Sequence, residues 1–430
     1  MSGLNWQQSQ QPRLPVKFGL APMEGVTDWP ARIWFALASA PDFMWTPFLR
    51  VTSTYPGKDI GEVWAPDIVD HPPSDRMVGD LPRVIPQLMA TNADDFVRVG
   101  EMIIEKSTNS AIRERPFWVD LNCGCPSPVV VGGRAGSSLL QNPEFLRDFI
   151  TSAVARLGAN KISIKMRVGY DEASEFPDIL DALSGLALAQ VAVHGRTRPE
   201  RYLGRSRLGM IQQAAIDLSH VPVVGSGDIC DFKSAQHAIS VAPAASSWIV
   251  GRGALRNPWI FLELRQGDPV GISLDTLRHS FLAFALLHDL YWHHPVRLLR
   301  LWRDGVFHSS RICGNDPQRW AFITEQLQST LVAPGVALIP SRRSVSRTKM
   351  LWNYFRSSLP VPVRDGTLLR AGTIADLFAG IDSIWRDLGR AEILLAHDPG
   401  WDWVYNGSGK SKASGGMEFG SAAGNKSGNV

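Results

Sequence analysis

Eight short apolar, β-rich runs punctuate the chain up to Val250: Val16 to Leu20, Phe43 to Phe48, Arg83 to Leu88, Phe117 to Leu121, Ile162 to Met166, Gln190 to Val193, Val221 to Val224, and Trp248 to Val250. Most are separated by stretches whose apolar residues return every three to four positions, the spacing of a helix with one packed face. Alternating β and α elements predict a parallel sheet. Eight of them predict a closed (β/α)8 barrel, the TIM barrel, instead of an open doubly wound sheet. Local signals agree. Asn142 is a good N-cap with Pro143 at the first helical position, Phe145, Phe149, Ile150 and Ala153 share a face, and Gly158 suits the C-terminal stop. Asn92 begins a similar helix with Phe96, Val99 and Ile103 inward.

From about Ser273 the strand pattern stops and helical periodicity takes over, as in SLDTLRHSFLAFALLHDLYW and IADLFAGIDSIWRDLGRAEILL. The predicted organisation is a flexible N-terminus (1–13), a catalytic barrel (14–268), an all-helical domain (269–400) and a Gly/Ser-rich tail (401–430). The tail has too little apolar content to offset the entropy of ordering. The segment from Gly57 to Asp80, rich in proline and acid, reads as an extended loop between the second and third strands.

The length of 430 residues accommodates a barrel of about 250 residues plus a smaller domain. Hydrophobic residues at 44% and charged residues at 20% exclude a disordered or fibrous chain. The N-terminus has no apolar leader, and no run of about 18 apolar residues offers a membrane span, so a cytoplasmic protein without a membrane partner is expected. The four cysteines include Cys123 and Cys125, too close for an easy staple, which fits a reducing compartment. With Cys230 and Cys313 far away in sequence, no metal site is expected. The net charge of +3 decides nothing by itself.

In such barrels the chemistry sits at the C-terminal mouth, so the residues that follow each strand carry the information. Here the first strand runs into Ala21-Pro22-Met23-Glu24-Gly25, the third contains Gln87, and the fourth leads into Asn122-Cys123-Gly124-Cys125-Pro126. The fifth carries Lys165 and Arg167, the sixth ends in His194-Gly195-Arg196-Thr197, the seventh in Gly225-Ser226-Gly227-Asp228, and the eighth in Gly251-Arg252-Gly253. Glycine turns after strands seven and eight let backbone N–H groups approach a phosphate, and Arg252 adds charge, so a phosphorylated cofactor is implied. Lys165 lies in an apolar run, where an ammonium is costly unless paired. Its partner is either an electron-rich ring or a carboxylate within the mouth, and His194 is either a ligand to that ring or a structural histidine. Cys125, between Gly124 and Pro126, is a candidate acid or nucleophile. An ordinary thiol is mostly protonated at neutrality and can donate to a carbanion-like centre.

Six motifs, APMEGVTD, DLNCGCPSPVV, KISIKMRVG, VAVHGRTRPERYLG, VPVVGSGDI and IVGRGALRNPWIF, together resemble the tRNA-dihydrouridine synthases, in the family's order and from Val16 to about Phe261. TPFLRV and RTKMLWNYFR look most like the bacterial C-type branch. That resemblance implies FMN, with Pro22, Met23 and Glu24 under the ring, Gln87, Lys165 and His194 at its polar edge, and Gly227, Asp228, Gly251 and Arg252 at ribitol and phosphate. Ser226 stands where the family usually has asparagine. It also implies NADPH as reductant, Cys125 as proton donor to a uracil in tRNA, and a D-loop uridine at position 16 as target. The Gly132 to Ser138 run and a long Arg303 to Arg343 segment depart from the family pattern.

The stretch from Ser341 to Arg356 holds Arg342, Arg343, Arg347, Lys349 and Arg356 without an acid, interleaved with Trp352 and Tyr354. It reads as a solvated helix face or as an RNA-docking surface. By the C-type resemblance Arg50, Asn122, Tyr202, Arg347, Lys349 and Tyr354 contact the tRNA or its target uridine. A monomer is expected. The competing functions are an FMN-dependent pyrimidine dehydrogenase acting on small molecules, and a non-catalytic tRNA-binding barrel.

Overall fold

The computed structural model describes residues 14–58, 60–69, 82–108, 117–127, 134–307, 312–331, 340–359, 366–388 and 392–395. Ten parallel strand segments lie before residue 251: β1 (Lys17–Leu20), β2 (Phe43–Trp45), β3 (Leu49–Arg50), β4 (Arg83–Ile85), β5 (Gln87–Met89), β6 (Val119–Cys123), β7 (Ile162–Arg167), β8 (Gln190–His194), β9 (Val223–Ser226) and β10 (Ser247–Val250). Their order is β3-β5-β6-β7-β8-β9-β10-β1-β2-β4. The apparent free ends, β3 and β4, are halves of strands already in the sheet. β2 pairs with β4 and β3 with β5, so β2/β3 and β4/β5 are two interrupted strands and the sheet closes on itself with eight.

The second interruption is Pro86, which has no N–H to give a ladder. Neighbours bridge the gap: the Thr46 amide donates to the Ile85 carbonyl at 3.0 Å, the Gln87 amide to Thr46 Oγ1 at 2.9 Å, and the Asp120 amide to the Pro86 carbonyl at 2.8 Å. The barrel interior is filled by Ala21, Trp45, Ile85, Trp118, Ala192, Val224 and Ile249, while the outer strand faces and surrounding helices share a separate, larger core. The interior is therefore packed, and only its polar upper layer reaches the mouth.

Helix entry follows the sequence signals. Asn142 caps the helix Pro143–Leu157 through the Phe145 amide at 2.9 Å, and Gly158 ends it at φ 98°. Asn92 caps Ala93–Thr108 through the Asp95 amide at 2.9 Å, with Phe96, Val99 and Ile103 buried. One inward residue differs from expectation: Phe145 is exposed, and Leu146 joins Phe149, Ile150 and Ala153 in the core. The first-turn position next to the cap looks outward, so the packed face begins one residue later.

The region after the barrel contains the helices Leu274–His293, Pro295–Arg303, Pro317–Leu331, Arg342–Phe355 and Ile374–Leu388. It also contains a short antiparallel pair, β11 (Gly271–Ser273) with β12 (Glu392–Leu394), which periodicity did not show because each strand has only three residues. This region is joined to the barrel by buried contacts to the first helix, Trp29–Ser39. Trp34 donates to the Ser280 carbonyl at 2.7 Å and packs against Phe281, Phe284, Trp259 and Trp320. The stretch 57–80 is not simply an extended loop: a π-helical turn, Ile60–Trp64, and a helical turn, Pro66–Val69, occupy its described part. Residues 70–81, the 1–13 and 401–430 termini, Gly132 and Gly133, and parts of 303–343 lie outside the described residues. Among the described residues, no helix is long and apolar enough to cross a membrane.

Arg32 and Asp67 form a bidentate pair at 2.6 and 2.7 Å, with side chains 0% and 3% exposed, and Arg32 Nη1 donates to the Thr27 carbonyl at 2.8 Å. Arg32→Met leaves the Asp67 charge buried and alone, a loss of about 3–5 kcal/mol. Chemical denaturation should show a lower midpoint of that size. An unchanged midpoint would mean that water reaches Asp67.

Candidate active site

Alternation along β6, β7 and β8 turns Asp120, Asn122, Ser163, Lys165, Arg167 and His194 into the barrel. The register sets Asn122 beside Lys165, and Arg167 beside His194. A chain of hydrogen bonds runs across the strands: Ser163 Oγ donates to Asp120 Oδ1 at 2.5 Å, Gln87 Nε2 to Asp120 Oδ2 at 2.8 Å, and Asn122 Nδ2 to Gln87 Oε1 at 2.8 Å. Asn122 Oδ1 then accepts the amides of Gly124 and Cys125 at 3.1 and 3.0 Å. On its other side the Cys125 carbonyl accepts Ser137 Oγ at 2.8 Å, and Arg167 Nε holds the Gly124 carbonyl at 2.8 Å. The cysteine turn is thus fixed from three directions.

Burial raises the Cys125 thiol above its ordinary pKa; the Ser127 amide, Arg167 and Arg50 only partly offset this, and Glu24 adds to it. The thiol is therefore protonated at neutral pH. Cys123 is fully buried, and burial together with Asp120 raises its thiol further, as fits a filler residue. Burial brings the Lys165 ammonium down to about 8, helped by Arg167 and opposed by Asp120 and Cys125. Burial likewise takes Asp120 up to about 6 despite its bonds from Ser163 and Gln87.

His194 lies well below its usual pKa, first through burial and then through the cations Arg167, Arg196, Lys165 and Arg252. Arg196 Nη1 is 3.2 Å from its Nε2. A guanidinium can only donate, so Nε2 accepts and the proton sits on Nδ1. Arg196, fully buried, also bonds the Leu203 and Gly204 carbonyls at 3.1 and 2.6 Å and both oxygens of Asp228 at 2.7 Å. Arg252 Nη2 reaches Asp228 Oδ1 at 3.5 Å. The Ser206 amide also donates to Asp228 Oδ2 at 2.7 Å, so the Asp228 side chain is committed to two guanidiniums and one amide. Gly227, at φ 153°, passes so close to Ser206 that a Cβ would meet Ser206 Oγ at 2.1 Å. A side chain there would be strained and would collide with Ser206, so the turn after the seventh strand is built for glycine.

On the rim, Tyr202 lies over Arg252 at 4.6 Å and has its ring 6.4 Å from His194. Tyr354 of the helical region lies within electrostatic reach of Tyr202 and Arg252. Arg50 is exposed on β3, where it acts on both Glu24 and Cys125. Met23 Sδ would stand 3.8 Å from a Cβ at Gly251, so the β1 turn borders the last glycine turn. Two of the residues expected at the RNA are turned inward instead. Lys349 Nζ donates to the Ala371 carbonyl at 2.9 Å, and Arg347 donates to the Gly25 and Val26 carbonyls and to Asp28. Asn122 is likewise occupied with the cysteine turn.

The dihydrouridine synthase family model matches residues 19–273, which contain every strand of this barrel except the first two residues of β1. The chain belongs to the dihydrouridine synthase family. It is 30% identical over 304 residues to the tRNA-dihydrouridine(16) synthase of Yersinia pestis, covering 68% of this chain and 86% of that one. The enzyme of the same name from Escherichia coli (strain K12) is 29% identical over 258 residues, covering 58% and 76%. The tRNA-dihydrouridine synthase B of Pseudomonas syringae is 31% identical over 216 residues, covering 47% and 56%. As a dihydrouridine synthase the chain is an oxidoreductase, and its barrel mouth is where that chemistry must fit.

Sequence reasoning placed Arg196 and Arg167 on the rim but gave them no role, and it passed over Ser137 and Ser206. The signal for Arg196 was an arginine in a glycine-flanked strand end; that its fork would be spent on carbonyls of its own loop is visible only in three dimensions. For this dihydrouridine synthase, alkylation of Cys125 followed by mass spectrometry should reach half its limiting rate above about pH 8.5, the ordinary thiol value, because the rate follows the thiolate. A midpoint at or below that value would show that the thiol is activated as a nucleophile.

Proposed function

We propose that the chain is a flavin-dependent tRNA-dihydrouridine synthase. It uses FMN and NADPH to reduce the C5=C6 bond of a D-loop uridine, with position 16 as the leading target, and works as a monomer in the cytoplasm. In this reading 14–268 is the catalytic unit and 269–400 holds the tRNA. The observation that carries it is the convergence at one barrel mouth of a protonated Cys125 thiol, a Lys165 ammonium, a neutral His194 and a turn built for glycine.

The residues present fit FMN. Lys165 Nζ makes no hydrogen bond to the described residues although the side chain is largely enclosed. It and His194 Nδ1–H would bind the polar edge of the ring. Pro22, Met23 and Glu24 would lie beneath the ring; the Gln87 amide, expected at the ring's polar edge, is fully buried and bonded to Asp120 and Asn122, so it would steady the mouth instead. Ser226, Gly227, Asp228, Gly251 and Arg252 would hold ribitol and phosphate, Asp228 through its backbone. Bound there, FMN would supply the hydride chemistry for reduction of the C5=C6 bond, with NADPH as the reductant.

The protein's own part is to hold the base and the proton. Cys125 Sγ–H would donate to C5, and the Asn122, Arg167 and Ser137 braces hold the backbone of the turn that carries the thiol. A uridine within folded RNA reaches the mouth only when flipped out, so the rim must grip the backbone around it. Tyr202 and Tyr354 offer stacking surfaces, and Arg50, Arg342 and Arg343 are exposed on the same protein. The Yersinia pestis and Escherichia coli relatives bear the name tRNA-dihydrouridine(16) synthase, which supports position 16 as the target.

Three outcomes are expected. The dihydrouridine map of tRNA from a strain lacking the chain loses one D-loop position, and the purified protein is yellow; an unchanged map with a colourless protein overturns the reading. Cys125→Ala keeps its flavin and its NADPH oxidation but loses turnover on tRNA by about 10²-fold or more, the scale of a lost general acid; full activity would remove the proposed acid. In the apo-protein, FMN affinity falls as pH rises through about 8, where Lys165 loses its charge, and Lys165→Met abolishes that dependence. Fluorescence titration checks it.

A further inference from the structure

The turn after β1 carries Met23 and Glu24 between the Gly251 turn and Cys125. It is a tight turn: the Val26 and Thr27 amides both donate to the Met23 carbonyl at 3.0 Å, and the Met23 amide donates to Thr27 Oγ1 at 3.0 Å. Gly25 adopts φ 67°. What grips this turn from outside is a residue more than 300 positions away in the chain. Arg347, on the helix Arg342–Phe355, donates to the Gly25 carbonyl, to the Val26 carbonyl at 3.0 Å and to Asp28 Oδ2 at 2.7 Å.

Asp28 is itself a junction. Its Oδ1 caps the helix Trp29–Ser39 through the Ala31 amide at 3.3 Å and also faces His288 Nε2 at 3.2 Å, while Oδ2 takes Arg347. His288 is fully buried; its Nδ1–H donates to the Phe284 carbonyl at 2.8 Å, and Arg347 Nε lies 3.3 Å from its Nε2. Burial alone would raise the Asp28 carboxyl, but His288 and Arg347 more than offset it and bring it down to about 2. The guanidinium, 13% exposed, is held by three acceptors of one turn. An arginine reading an RNA phosphate would keep its fork in solvent.

We propose that Arg347 is a positioning residue that clamps the β1 turn beside Cys125, so that the helical region sets the geometry of the reaction mouth. The proposal deepens the synthase reading and rests on it for its kinetic consequence. The helix bearing exposed Arg342 and Arg343 then acts on the turn through one guanidinium, and a shift of that helix on binding RNA moves Met23 and Glu24 with it.

The test uses the full chain with its flavin as Arg347→Ala, Arg347→Lys and Asp28→Asn, asparagine being a sound helix cap in place of aspartate. Three quantities are read: amide exchange at Val26 and Thr27, single-turnover oxidation of the reduced enzyme at saturating tRNA, and the salt dependence of tRNA affinity. Arg347→Ala should speed exchange by about tenfold or more and slow single turnover by about ten- to a hundredfold, with an unchanged salt slope. Lysine restores part of both, since a single ammonium cannot meet three acceptors, and Asp28→Asn falls between. If the alanine variant does not fold, the other two decide by the same readouts. A salt slope reduced by about 0.9, with wild-type exchange and turnover, makes Arg347 a phosphate contact and overturns the clamp. Wild-type behaviour in all three also overturns it. A wild-type enzyme that tRNA does not oxidise defeats the synthase reading, while the exchange result still decides the clamp.

Discussion

The mouth of this barrel holds more buried positive charge than its own carboxylates balance. Lys165, Arg167 and Arg196 point into one enclosure, with the partly exposed Arg252 at its rim, against Asp228 and an Asp120 whose pKa burial has raised to about 6. Isolated charges are costly to desolvate, so the loops must supply what the carboxylates do not. They do so with backbone carbonyls. Arg167 draws in Gly124, Thr197 and Arg201, and Arg196 draws in Leu203 and Gly204. The positions of the cysteine turn and of the Tyr202 loop follow from where these guanidiniums need oxygen. Burial, reinforced by the same surplus, keeps His194 neutral.

The architecture was legible in the chain because it depends on period. Eight apolar runs, each at the right spacing, fell on the eight barrel strands, and the residues after each run fell on one rim. Cys125, Lys165, His194 and the glycine turns were visible for the same reason: their place follows from being at a strand end. The strand interruptions at Pro47 and Pro86 were hidden inside continuous β-rich runs, because the bridging donors Thr46 and Gln87 belong to different strands.

The roles of Arg347, Lys349 and Asn122 were not legible, and for a physical reason. A basic residue on an amphipathic helix looks alike whether its charge is spent on phosphate, on water or on a distant carbonyl. What decides is the partner, and the three acceptors of Arg347 on the β1 turn are 319 to 322 residues away. Asn122 was read as a substrate contact because of its motif; its oxygen is spent on two amides within three residues of itself. Residues that look as if they face a ligand can instead hold in place the ones that do.

The pairing of β1 with β10 joins Lys17 to Ser247. During synthesis the first strand is complete long before its second neighbour exists, and at about 5–20 residues per second the interval lasts about 10 to 50 seconds. Over that time β1 has an unpaired edge, and the Trp29–Ser39 helix lacks the aromatic face of Leu274–His293 that will cover Trp34. The nascent chain therefore carries an open strand edge and an uncovered tryptophan until its C-terminal third emerges, a window in which chaperone binding at the N-terminus would compete directly with aggregation.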